Sequence, residues 1–230
     1  MKSLFFLVAL CTSVSFAAEP LPPLKVADYK EPIRVACVGD SITQGYELQP
    51  GESYPDQLQE MLGAEWKVSN FGVSGRTLMK RGDVPYWKEN AYQDALKLQA
   101  DVVIIMLGAN DAKPKNWSNG EEFTADYTEF VKSFQTSPAK PRIYVCRPCP
   151  VLGAGNFEID GQIVKSQVKL IDGIVKQMGL GMIDMYGALN DKPELLPDRV
   201  HPNAEGAREL AKAAYKALTG KKAPSLAEKP

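Results

Sequence analysis

The chain has 230 residues and a formal net charge of −1, with 27 lysines and arginines against 28 aspartates and glutamates. That near-balance gives no reason to expect nucleic acid or an anionic membrane surface as a partner. The length suits one domain with one core.

The first 17 residues read as a secretory signal. Lys2 supplies the positive start, Leu4 to Phe16 carries no charge, and Ser15-Phe16-Ala17 puts small residues where a signal peptidase reads them, so cleavage is predicted after Ala17. The apolar run is too short for a membrane span, which needs about 20 residues. A lipoprotein reading through Cys11 is weaker, because Leu10 precedes it where a small residue is expected. No later segment is apolar enough to span a bilayer, so the expectation is an exported protein, periplasmic or secreted, with no integral membrane association. Residues 18–32, with Pro20, Pro22, Pro23 and Pro32, read as an extended leader.

The domain is expected over residues 33–220. Ile33 to Val38 is a short apolar run ending at Gly39, a good first strand. Pro55 suits the first turn of a helix whose stripe is Leu58, Met61 and Leu62, with Gly63 ending it. Trp66 to Phe71 is a second strand. Gly72 to Trp87 reads as a loop, followed by a helix near Tyr92–Leu98. Asp101 to Gly108 is the clearest strand, and its β-branched run predicts burial on both faces, as in a parallel sheet. Helices are expected at Glu121–Gln135, Ile159–Met178 and Ala204–Leu218, and strands at Arg142–Cys146 and Leu180–Met185. Residues 221–230 read as a flexible tail. Strands and helices thus alternate five times, which predicts a three-layer α/β/α sandwich around a flavodoxin-like five-stranded parallel sheet.

Beyond the signal, three cysteines remain: Cys37, Cys146 and Cys149. Cys37 lies in an apolar run and reads as a buried small hydrophobe. The Cys146-Arg147-Pro148-Cys149 spacing is that of a redox motif, but a local disulfide or two inert thiols fits a motif this late in the chain better than thioredoxin-like chemistry. A four-ligand zinc site is not expected with a single histidine, and neither a metal nor a cofactor is predicted. Asn116-Trp117-Ser118 matches a glycosylation sequon, which carries meaning only in a eukaryotic source.

That single histidine, His201, is the natural acid–base group near neutral pH. Asp198 lies three residues before it and could accept from one ring nitrogen, leaving the other to take a proton. Ser41 follows the first strand in Gly39-Asp40-Ser41. Its hydroxyl needs an adjacent base to become a nucleophile, and the bland alternative is a helix cap. Asn110, in Gly108-Ala109-Asn110-Asp111 after the third strand, offers a side-chain amide to a developing oxyanion, and Gly72 after the second strand would let a backbone N–H approach it. In a parallel sheet these segments would meet at one rim, outside the carboxyl ends of the strands.

These four blocks, Gly39-Asp40-Ser41 with Gly45, Gly72, Gly108-Ala109-Asn110-Asp111 and Asp198-Arg199-Val200-His201, resemble those of the SGNH hydrolases, the GDSL-like esterase and lipase superfamily, in order and over nearly the whole chain after the signal. The resemblance implies Ser41 as nucleophile, His201 as base and then acid, and Asp198 as the orienting carboxylate. It implies an oxyanion hole from the Ser41 N–H, the Gly72 N–H and the Asn110 side chain.

The superfamily spans lipases, lysophospholipases, thioesterases and carbohydrate deacetylases. The stretches Gly72–Leu78 and Gly51–Pro55 look similar to exported bacterial carbohydrate acetylesterases within it. The expected function is therefore a serine esterase that removes short acyl groups, acetyl foremost, from a carbohydrate or another small ester. Asp40, Arg76, Trp87 and Trp117 are candidate substrate-binding residues, although the two tryptophans could equally pack their loops onto the core. A lysophospholipase or thioesterase is the rival within the class, and a glycan-binding module without catalysis is the rival outside it. The oligomeric state is not legible.

Overall fold

A computed structural model describes residues 21–153 and 156–226. The signal segment and the end of the predicted tail lie outside the described residues. In chain order the elements are β1 (Ile33–Gly39), α1 (Ser41–Gln44), α2 (Tyr54–Leu62), β2 (Trp66–Gly72), α3 (Asn90–Lys97), β3 (Val102–Met106), α4 (Gly120–Gln135), β4 (Arg142–Arg147), α5 (Gly161–Met178), β5 (Gly181–Asp184), α6 (Met185–Leu189) and α7 (Ala204–Thr219). The five strands form one parallel sheet in the order β2-β1-β3-β4-β5.

Alternation along the central strands builds a core on each face. Val35, Cys37, Val102, Ile104 and Met106 point to one side, where Leu58, Leu210 and Ala214 of α2 and α7 cover them. Ala36, Val38, Val103 and Ile105 point to the other, beneath Phe123, Tyr127 and Phe130 of α4 and Ile171 of α5. Both faces of β3 are therefore buried, as its unbroken apolar run predicts. The helices start on polar caps: Ser53 accepts from the Asp56 N–H, Asn119 from Glu122, Asp160 from Gln162 and Asn203 from Gly206. Left-handed glycines, Gly179 and Gly220, end α5 and α7.

The leader is more than an extended arm. Leu24 is buried, its N–H donates to the Leu218 carbonyl at 2.8 Å, and Val26–Asp28 form a short 3₁₀ turn. Ala223 and Leu226, in the predicted tail, pack against the same core. The strand order reverses between β1 and β3, so the crevice outside their carboxyl ends is where this topology places a ligand.

Candidate active site

Ser41 is the first residue of α1, which starts where β1 ends. Asp40 caps the helix, its Oδ1 accepting the Ile42 N–H at 3.1 Å. A first-turn N–H has no acceptor inside its own helix, and that holds for the Ser41 N–H at the start of α1. Gly39 permits the sharp exit from β1, since a Cβ there would lie 2.0 Å from the Thr43 hydroxyl.

His201 arrives from the far end of the fold, on the loop that enters α7. Its Nε2 lies 2.8 Å from the Ser41 hydroxyl, across 160 residues of chain. Its Nδ1 lies 2.6 Å from Asp198 Oδ2. The other oxygen, Asp198 Oδ1, accepts the backbone N–H groups of His201 and Val200 at 2.6 and 2.9 Å. One carboxylate thus shapes the turn and orients the ring upon it. Arg199, between them, adopts a left-handed φ of 71°. Partial burial raises the Asp198 carboxyl, but the donors from His201 and Val200 outweigh it and leave its pKa below the ordinary carboxylate value.

Asn110 follows β3 and is buried. Its Nδ2 donates to the Arg76 carbonyl at 3.2 Å and approaches Asp40 Oδ2 at 3.5 Å. The second contact is at the limit of hydrogen bonding, which leaves that hydrogen open to a stronger acceptor. The Asn110 carbonyl is held by Asn116 Nδ2 at 2.9 Å.

Gly72 does not serve as expected. Its N–H donates to Asn70 Oδ1 at 2.9 Å, and a Cβ there would lie 2.1 Å from the Gln44 backbone nitrogen. Gly72 is a close-packing position behind α1. Three residues on, Gly75 has φ 81° and open space where a Cβ would stand. Its neighbours fix it between the two other donors. Ser74 bonds through both N–H and hydroxyl to Gln44 Oε1 on the nucleophile's helix, at 2.7 and 2.6 Å, and Arg76 receives Asn110. The Ser74-Gly75 pair is a turn signal in the sequence, but two glycines so close cannot be told apart without the backbone.

The four candidate substrate-binding residues are each engaged by the protein itself, the two tryptophans in the core-packing role that was their alternative reading. Asp40 is 1% exposed and supports α1 and Asn110 from beneath. Arg76 is spent on Glu89 and the Ser74 carbonyl, at 2.8 and 2.6 Å. Trp87 packs on Tyr92 and Phe130, donates to the Leu78 carbonyl at 2.6 Å, and carries the Lys80 ammonium 4.6 Å from its ring centre. Trp117 packs on Phe123. The two tryptophans therefore hold loops to the core.

Asp111, which the sequence left without a role, is fully buried and accepts from the Leu78 and Met79 N–H groups at 2.8 and 2.6 Å. It fastens the loop carrying Gly75 to the one carrying Asn110. Asn116 of the sequon is buried, its amide spent on Asn110 and Asp83, so no glycan could be attached there in this fold. Cys37, Cys146 and Cys149 are unpaired and buried, and burial pushes their thiols up, Cys37 to about 12.

The fold and site place this chain among α/β hydrolytic folds with a serine, histidine and aspartate in one relay. It belongs to the GDSL-like Lipase/Acylhydrolase family, whose model matches residues 37–209 and so spans Ser41 to His201. It is 37% identical to an acetylxylan esterase of Xylanibacter ruminicola over 206 residues, 80% of this chain and 43% of that one. The chain spans less than half the length of the curated relatives it matches. Among solved structures, it resembles an aryl esterase of M. smegmatis (TM-score 0.66, 21% identity, 80% of this chain and 97% of that one). It also resembles a carbohydrate acetylesterase family member from Sinorhizobium meliloti (TM-score 0.66, 19% identity, 82% and 100%).

Proposed function

We propose that the chain is a serine esterase that removes short acyl groups, acetyl foremost, from the hydroxyl groups of a carbohydrate, and that it works outside the cytoplasm. The observation that carries this reading is the unbroken relay of Ser41 Oγ, His201 Nε2, His201 Nδ1 and Asp198 Oδ2 with its links at 2.8 and 2.6 Å.

Ser41 Oγ attacks the ester carbonyl as its proton passes to His201 Nε2, and Asp198 stabilises the imidazolium through Nδ1. The carbonyl oxygen becomes an oxyanion, received by the Ser41 N–H, the Gly75 N–H and Asn110 Nδ2. Fixed donors of this kind are worth about 3–4 kcal/mol each in the transition state. Collapse breaks the ester C–O bond, and the departing alcohol takes the proton from Nε2. Water then gives a proton to Nε2 and attacks the acyl-enzyme, releasing the acid and restoring Ser41.

The acetyl and carbohydrate assignments draw support from the relative named an acetylxylan esterase and the neighbour named a carbohydrate acetylesterase. Export draws support from Lys2 and the uncharged Leu4–Phe16 run. The test is acetate release from acetylated xylan, acetylated sialic acid and p-nitrophenyl acetate, with Ser41→Ala as control. Release from a carbohydrate that Ser41→Ala abolishes is the expected result. Equal rates in the two proteins, or activity rising from acetyl to octanoyl esters, would contradict the reading.

A further inference from the structure

His201 is walled by two aromatic rings that the relay does not use. The Tyr46 ring lies tilted over the imidazole with centroids 4.4 Å apart, and Phe157 meets it edge-on at 5.1 Å. Tyr46 and Phe157 also touch each other, at 6.0 Å. His201 itself is only 8% exposed, whereas Phe157 is 47% exposed. A half-exposed phenylalanine set against a buried base is an unusual use of apolar surface.

The backbone holds these rings by force. Among the described residues, six non-glycine residues have positive φ, and four of them, Glu47, Phe157, Glu158 and Arg199, lie in the three loops that meet at His201. Such conformations persist only where surrounding contacts impose them, and they gather at working sites. Here the ties are visible. Asn156 Nδ2 donates to the Asp198 carbonyl at 2.6 Å, and the Leu152 N–H donates to the Arg199 carbonyl at 3.0 Å. The loop bearing Phe157 is thus bonded to the turn bearing His201.

The chemistry says what stands there. In the acylation step His201 Nε2 gives its proton to the leaving alcohol, so the alcohol oxygen lies within about 3 Å of that nitrogen. The remainder of the alcohol extends beside whatever lines the imidazole. We infer that Tyr46 and Phe157 form the seat for the alcohol half of the ester, an apolar wall against which a six-membered ring can lay a C–H or π face. A pyranose and an aryl alcohol share that face. This rests on the esterase reading and adds to it the part of the substrate that the site selects.

The test compares acetates that differ only in the alcohol: acetylated methyl xyloside, phenyl acetate and ethyl acetate, with wild type, Phe157→Ala and Phe157→Trp. The expected result is a loss of kcat/KM in Phe157→Ala on one or both ring alcohols that exceeds the loss on ethyl acetate by about tenfold, the scale of one aromatic contact. Phe157→Trp should restore it. Loss confined to phenyl acetate assigns the seat to aryl alcohols, and loss on the xyloside assigns it to sugars. Equal losses on all three esters would show that Phe157 merely steadies His201 and would overturn the inference, as would no loss at all. Wild-type protein that hydrolyses none of the three would instead overturn the esterase reading, and this inference with it.

Discussion

Asp198 grips His201 twice, through the backbone N–H at Oδ1 and through the ring nitrogen at Oδ2, both at 2.6 Å. The two contacts can be separated by substitution. Asn at position 198 can still accept the backbone donors at one oxygen but has no charge to stabilise the imidazolium. Asp198→Asn should therefore fold as wild type and lose activity by about 10³–10⁴-fold, the scale seen when a serine–histidine pair loses its anion. Asp198→Ala should lose activity similarly and also lower the urea midpoint, because the turn loses its acceptor. Equal stability of the two variants would show that the Oδ1 bonds contribute nothing to the turn.

The glycines at 72 and 75 should behave differently on becoming alanine. At Gly72 the new Cβ would meet the Gln44 nitrogen at 2.1 Å, so α1 must shift. Overpacking of this sort costs about 1–3 kcal/mol, and Gly72→Ala should lower the unfolding midpoint accordingly. At Gly75 nothing stands within 4 Å, and only the φ of 81° resists a side chain. Gly75→Ala should cost less stability than Gly72→Ala while lowering kcat, as the turn relaxes away from the Asn110 side. Urea unfolding and kcat measured together check both outcomes. A greater stability loss at 75 than at 72 would contradict these placements.

Asp40 makes a pH prediction whose sign is opposite to that of Asp198. Burial first, and then Asp111 nearby, raise its carboxyl to about 7, against the partial relief of the Ile42 N–H. An unfolded aspartate titrates near pH 4 (about 3.9). The folded state therefore holds a proton that the unfolded state has lost. Stability from this group is complete below about pH 4 and declines as pH rises through about 7. The lowered Asp198 carboxyl works the other way: its contribution is present above the unfolded value and fades as pH falls through the folded one. Asp40→Asn can keep the helix cap while removing the titration, so its stability relative to wild type should increase between pH 5 and pH 8. Urea midpoints at the two pH values decide it, and a constant offset would contradict the assignment.

Much of this was legible before the structure. The β-branched run at Val102–Met106 is apolar on every residue, so a doubly covered strand was its natural reading. Ser41 and His201 were legible because a nucleophile after a first strand and a lone imidazole after an aspartate have few other joint uses. What escaped depends on backbone direction and local packing. α1 and α6 span four and five residues, too short to display a helical period. Gly72 and Gly75 carry the same side chain, and only φ and hydrogen bonds distinguish them. Trp87 sits in a loop, where stacking on a substrate and packing on the core read alike along the chain, and only its contacts with Tyr92 of α3 and Phe130 of α4 decide between them. Tyr46 and Phe157 are more than a hundred positions apart, and no pattern along the chain announces that both rest on His201.

The central claim is that Ser41 carries the acyl group between the two halves of the reaction. The direct measurement is mass spectrometry of the protein quenched with acid during turnover of p-nitrophenyl acetate, followed by digestion and mapping of the acetyl adduct. An adduct on Ser41 that accumulates within the first turnover and decays with the rate of acetate release is the predicted result. An adduct absent from Ser41, with Ser41→Ala still releasing acetate at the wild-type rate, would contradict it.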